Sequence, residues 1–180
     1  MPAAQRYNTT AMALHWAIAL LIVAAFGLGL IMTDMPGLSM TKLKYFSWHK
    51  WLGVTVFLLA VARVAWRLGH KPPPQIAAIS VWQRHAAEGV HKLLYLLILV
   101  IPLSGYLYSL AAGVPVVFLG VIPLPVLFER NDAAKEILKL LHVTLNYTMA
   151  ALVALHALAA LKHQFFNRDG TLARMLPFLK

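Results

Sequence analysis

The chain has 180 residues, of which 61% are hydrophobic and 12% are charged. A soluble domain carries roughly a quarter of charged residues, so this chain has too little polar surface to face water on all sides. The same composition excludes disorder, and the lack of cysteine excludes disulfides, thiolate zinc sites and iron–sulfur clusters. The net charge of +10 comes without any block of five Lys or Arg residues, so nucleic acid is not an expected partner.

Four apolar stretches are long enough to cross about 30 Å of hydrocarbon at about 1.5 Å per residue. In chain order they cover residues 11–32, 46–68, 89–112 and 137–161. The first is too long for a cleavable signal peptide, and three more follow it. The connector 113–136 is proline-rich, which predicts a segment at the membrane interface instead of a fifth span. We predict an all-α membrane protein, with residues 1–180 forming one bundle of four transmembrane helices.

The distribution of basic residues predicts the orientation of these spans, because cytoplasmic loops carry an excess of Lys and Arg. With the N-terminus inside, 10 basic residues lie on the cytoplasmic side and 6 on the outer side. Both termini are therefore predicted to face the cytoplasm.

Four histidines lie inside the predicted spans, near their ends: His15, His49, His142 and His156. His142 and His156 are 14 residues apart, a separation that turns through about 1400° and rises about 21 Å, so they share one helix face near opposite membrane surfaces. His15 matches His156 in depth, and His49 matches His142. One imidazole pair is what six-coordinate haem b requires, whereas zinc needs further ligands. We predict two haem b groups, with iron bound through His15 and His156 and through His49 and His142.

Basic side chains near these pairs are candidates for the haem propionates. Arg63 and Arg67 share a helix face near the inner end of the second span and could pair with propionates there. Snorkelling to anionic lipid headgroups is the alternative interpretation of both. Lys50 and Lys139 could act in the same way, more weakly, on the outer side.

Two further histidines and a methionine lie close to the predicted pairs. His85 and His91 enter the third span from the cytoplasmic side, and either is an alternative inner ligand. Met149 lies midway between His142 and His156, which predicts packing between two cofactors and not metal binding. Three glycines leave room for a flat macrocycle against the helix backbone: Gly27, Gly29 and Gly53.

The chain resembles the bacterial cytochrome b561 family over nearly its full length. The resemblance is carried by the segment 6–16 with His15 and Trp16, by His49 followed by Gly53, by the segments 64–68 and 169–177, and by His142 and His156. It implies a bacterial inner-membrane protein in which these four histidines bind the two haem groups.

The resemblance also implies electron transfer between a donor at the outer surface and ubiquinone. One relative is similar to a superoxide oxidase, which makes superoxide the candidate donor. Lys50 and Lys139 are candidates for steering this small anion to the outer haem. His163 and Lys162, at the end of the fourth span, are candidates for the quinone site, and a solvated histidine is the simpler interpretation of His163.

Two alternatives to this function remain at this point. The chain could be the haem-bearing membrane anchor subunit of a larger dehydrogenase, or a haem-free membrane metal carrier or scaffold. The lipid bilayer is the expected surrounding in each case, and the protein is expected as a monomer or homodimer.

Overall fold

The structure is a computed structural model that describes residues 6–74 and 80–176. Its main elements are α1 (Thr9–Asp34), α2 (Met40–Gly69), α3 (Val81–Ala111) and α4 (Asp132–Lys162). All four are long and apolar enough to cross a membrane, which confirms the prediction of a four-span helical protein. Pro177, the last residue of the segment 169–177, lies outside the described residues.

A polar capping residue begins each helix. The side chains of Asn8, Ser39, Ser80 and Asn131 each accept a hydrogen bond from the backbone N–H three residues further on. Such caps satisfy amides that have no partner within the helix. Because of these caps, each helix begins before its predicted span. For example, α3 begins at Val81, whereas the predicted third span begins at residue 89.

The helices pack in chain order, α1 against α2, α2 against α3 and α3 against α4. The buried core is small and draws on every helix: Ile18, Ala60, Leu97, Ile98 and Met149. Met149 therefore packs in the core, while its predicted place between two cofactors stays a prediction. Many other large apolar side chains are exposed on the helices, which suits a protein whose surrounding solvent is lipid.

The connector between α3 and α4 contains a short antiparallel hairpin, with β1 (Val117–Phe118) paired to β2 (Ile122–Pro123). The turn places Leu119 and Gly120 at positive φ, 54° and 75°. The indole of Trp51 donates to the carbonyl of Val117 at 2.8 Å, and the hydroxyl of Tyr106 donates to the carbonyl of Pro125. The hairpin was not predicted, but the residues from 113 to 128 carry no charged side chain, in keeping with an interfacial segment.

Beyond α4, one π-helical turn (His163–Asn167) and one 3₁₀ turn (Leu172–Arg174) follow at the end of the bundle where α1 begins and α4 ends. This end is called the inner end below and the opposite end the outer end, after the predicted orientation. The indole of Trp16 donates to the carbonyl of Met175 at 2.9 Å. The buried Arg174 donates to the carbonyl of Pro74 at 2.7 Å, and its own carbonyl accepts from the amide of Tyr7. The segment 169–176 thus closes the inner end against α1 and the residues after α2.

Candidate functional site

His49 of α2 and His142 of α4 face each other, with ring centroids 6.2 Å apart and planes at 90°. The carbonyl of Ala25 lies 2.9 Å from Nδ1 of His49. On the other ring, Nδ1 of His142 lies 2.9 Å from Oγ of Ser104, whose hydroxyl donates to the carbonyl of Ile101. Since these acceptors require an N–H at both Nδ1 atoms, both Nε2 atoms keep a lone pair. A histidine held in this way is prepared to bind a metal ion through Nε2.

Two glycines let these imidazoles approach neighbouring helices. A Cβ on Gly105 would lie 2.8 Å from Cε1 of His142, and one on Gly29 would lie 3.3 Å from Cε1 of His49. Gly29 therefore supports a histidine ring, which differs from its predicted role against a macrocycle. A Cβ on Gly27 or Gly53 would meet nothing within 4 Å, as that role requires.

His15 of α1 and His156 of α4 form the second pair, with ring centroids 6.2 Å apart and planes at 77°. His91 of α3 also lies beside His156, with the two ring centroids 5.2 Å apart. None of these three rings has a hydrogen bond to another residue in the part of the chain that the structure describes. The inner pair thus has the spacing of the outer pair without its hydrogen bonds.

The spacing of both pairs identifies what they can bind. Two imidazoles that ligate one ion from opposite sides, each through a nitrogen about 2 Å away, have ring centres roughly 6 Å apart. Both pairs meet this condition at 6.2 Å. Over residues 6–74 and 80–176, no group of three His, Cys, Asp or Glu side chains is placed to hold a metal ion, so each pair could offer an ion two ligands.

The predicted propionate partners lie together at the inner end. The guanidinium carbons of Arg63 and Arg67 are 5.6 Å and 5.7 Å from the ring centroid of Tyr95, and Arg63 donates to the carbonyl of Ala11 at 2.7 Å. Both border a cavity of about 300 Å³. Its other basic lining residues are Arg6, His70 and Lys71. This end of the protein can therefore receive carboxylate or phosphate groups.

His163, a predicted quinone-site residue, is half-buried and pairs through Nδ1 with the carboxylate of Asp169. It is not the freely solvated histidine of the simpler interpretation, while its neighbour Lys162 is exposed. Burial raises the pKa of Asp169, but hydrogen bonds from Thr171 and His163 outweigh it and leave that pKa below its ordinary value. Asp169 is thus ionised at neutral pH and orients the imidazole.

The predicted outer cations differ in exposure. Lys50 is half-buried, whereas Lys139 is exposed. Neither forms an ion pair with a described residue. Both positive charges are therefore available at the outer end of the bundle.

Sequence reasoning missed the residues that orient the outer pair. The carbonyl of Ala25 and the hydroxyl of Ser104 were not anticipated, although small residues within an otherwise bulky apolar helix often mark a close approach between helices. Ser104 is buried, which fits its contact with His142.

Known proteins match the chain along its length. A family model described as "Prokaryotic cytochrome b561" matches residues 6–178. The chain belongs to the prokaryotic cytochrome b561 family. It is 34% identical over 172 residues to "Cytochrome b561 homolog 2" of Escherichia coli (strain K12), covering 96% of this chain and 92% of that protein. It is 30% identical over 172 residues to "Cytochrome b561 homolog 1" of the same organism, covering 96% and 97%.

A third relative has a name that states an activity. "Probable superoxide oxidase CybB" of Yersinia pestis is 27% identical over 177 residues, covering 96% of this chain and 97% of that protein. Membership in the cytochrome b561 family makes this chain a multi-pass bacterial membrane electron-transfer protein with b-type haem. The two imidazole pairs at 6.2 Å and the open face at Gly53 fit such a cofactor.

Proposed function

We propose that this protein carries two haem b groups and passes electrons from an outer-surface donor, with superoxide as the candidate, to ubiquinone in the bacterial inner membrane. The observation that supports this most is the equal ring spacing of 6.2 Å in two separate histidine pairs, each drawn from two helices. In this proposal both termini face the cytoplasm, so that His49 and His142 lie near the outer surface.

The axial ligands in this proposal are His15 with His156 and His49 with His142. Haem b held by two imidazoles supplies reversible exchange of one electron. In the outer pair, the acceptors at Nδ1 hold each ring in position and keep Nε2 unprotonated. At the inner end, the guanidinium groups of Arg63 and Arg67 would bind propionates.

Superoxide is proposed as the donor from the name of the Yersinia pestis relative and from the charge of the outer end. Lys50 and Lys139 attract a small anion and raise its concentration near His49 and His142. Superoxide loses one electron to become dioxygen, so no proton-transferring residue is needed on this side.

Reduction of ubiquinone to ubiquinol takes two electrons and two protons, so the quinone site needs groups that bind the carbonyl oxygens. His163 and Lys162 are proposed for this role at the end of α4. Asp169 holds Nδ1 of His163, so Nε2 of the neutral ring carries a lone pair that accepts a hydrogen bond from a quinol hydroxyl. The same nitrogen donates to a quinone oxygen only when the ring is protonated. The exposed Lys162 adds a positive charge beside it.

The first test is the haem content of the purified protein, with reduced-minus-oxidised spectra. About two low-spin b haems per chain are expected, followed by ubiquinone reduction on addition of superoxide. If lysines steer superoxide, the rate falls as ionic strength rises. A colourless protein made with ample haem would contradict the electron-transfer role, and co-purification with a dehydrogenase together with indifference to superoxide would favour the anchor-subunit alternative.

A further inference from the structure

A residue of α3 lies beside each of the two histidines of α4, His142 and His156. On the outer side, Ser104 of α3 binds Nδ1 of His142. His156 lies 14 residues further along α4, and His91 lies 13 residues back along α3. Because neighbouring α3 and α4 run in opposite directions at the same rise per residue, these two separations match. His91 therefore lies at the depth of His156, as Ser104 lies at the depth of His142, which makes it the candidate for the same supporting role.

The contact between the two inner rings fits this assignment. The ring centroids of His91 and His156 are 5.2 Å apart, with planes at 70°. Two imidazoles joined by an N–H···N hydrogen bond of about 2.9 Å have ring centres roughly 5 Å apart. The rings are thus at hydrogen-bonding separation, and only their orientation has to change for a nitrogen to face a nitrogen.

The same distance argues against His91 as an axial ligand opposite His156. Ligands on opposite sides of one ion need the wider separation that His15 and His156 show, 6.2 Å. His91 is also an exposed residue, and it contacts His156 from α3 whereas His15 approaches from α1. It therefore lies beside the ligand and not across the metal position from it.

Histidine ligands to metals almost always donate their second ring N–H to an acceptor, which makes the ring a stronger electron donor. In the part of the chain that the structure describes, His156 has no acceptor for its second nitrogen. The ring nearest to it on α3 is that of His91, at 5.2 Å between centroids. We propose that His91 is a positioning residue that accepts a hydrogen bond from the non-ligating nitrogen of His156 and thereby lowers the reduction potential of the inner haem. This inference rests on the proposed function, because it requires haem b between His15 and His156.

The test measures the potentials of both haems in the full-length, haem-loaded protein. Removing the acceptor with His91→Ala should make His156 a weaker donor and shift the reduction equilibrium of the inner haem toward the reduced form by up to about tenfold, or about 59 mV for one electron. The outer haem should not shift. His91→Gln keeps an acceptor oxygen and should shift the inner potential less, and His85→Ala is the matched histidine control on the same helix.

The possible results distinguish failure of the role proposed for His91 from failure of the di-haem proposal. Two haems with an unshifted inner potential in His91→Ala, or equal shifts in the Ala and Gln variants, would overturn the role of His91 while leaving the di-haem proposal in place. Conversion of the inner haem to a high-spin spectrum in His91→Ala would show that His91 is a ligand and would also overturn it. A wild-type protein without haem between His15 and His156 would contradict both the role of His91 and the di-haem proposal.

Discussion

The outer and inner histidine pairs have the same ring separation but are supported differently. At the outer pair, a backbone carbonyl of α1 and a buried hydroxyl of α3 fix Nδ1 of each ring. At the inner pair, the rings of His15 and His156 lie near other rings and have no hydrogen bond to a described residue. The inner end instead carries a cluster of arginines around its cavity.

The comparison shows that two imidazole rings can lie 6.2 Å apart either with hydrogen bonds that orient them or without such bonds. The outer rings are oriented before any cofactor binds, because their acceptors belong to the helix backbone or to a buried serine. The inner rings have no hydrogen bond to a described residue that fixes their orientation, so a bound cofactor and its charged groups would complete their arrangement. We expect the outer site to be sensitive to small steric changes and the inner site to be sensitive to charge and to neighbouring polar groups.

The largest difference between the two sites is expected when one of the proposed haem-binding histidines is removed. His142→Ala should remove the outer haem and keep the inner one, so that haem per chain falls from about two to about one. His156→Ala should do the reverse, because in the proposed assignment α4 carries one ligand of each haem. Haem extraction with redox titration identifies which haem remains. Loss of the inner haem in His142→Ala would contradict the assignment of pairs.

A single methyl group should be enough to disturb the outer site. Gly105→Ala would place Cβ 2.8 Å from Cε1 of His142, so the ring or the helix has to move, at a cost of about 1–3 kcal/mol. Reduced outer haem content and a lower unfolding temperature are expected. Gly69→Ala is the control, since its Cβ would meet nothing within 4 Å, and an equal effect of both changes would refute the steric explanation.

Two tryptophan hydrogen bonds, one at each end of the bundle, can be removed separately. Trp51→Phe removes the hydrogen bond to Val117 in the hairpin, and Trp16→Phe removes the bond to Met175. Each change should cost about 0.5–1.5 kcal/mol. We expect the first to alter the spectrum of the outer haem and the second that of the inner haem, as measured by low-temperature spectra. If both variants altered the same haem, the two ends would not be independent.

The smallest expected effect concerns Asp169 and the closure of the inner end. The pKa of its carboxyl is below the ordinary value of 3.8, so its ionised form stabilises the fold above pH 3.8 and this contribution is lost as the pH falls through the lower folded value. Asp169→Asn should lower stability at neutral pH and flatten this acid dependence. Thermal unfolding over a pH series measures both, and an unchanged acid dependence would contradict the role of this carboxylate.

The sequence was sufficient for the number of helices and for pairing the histidines, because helix rise and rotation fix the depth and face of His142 and His156. It was not sufficient for the acceptors at Ser104 and Ala25, which depend on the register between helices and not on any one helix. The hairpin was missed because its strands are only two residues each and carry no alternating pattern. The partners of Trp16 and Arg174 were missed for the same reason as the acceptors, since both are contacts between distant parts of the chain.

The position of two histidines on α4 also bears on biosynthesis. The spans enter the membrane in chain order, and α4 follows the other three. Until α4 is inserted, His15 and His49 have no partner across from them, so neither pair can be complete on a nascent chain that has inserted only α1 to α3. If the four histidines bind haem as proposed, loading at both sites would follow insertion of the last of these helices, and a chain arrested earlier is expected to remain colourless.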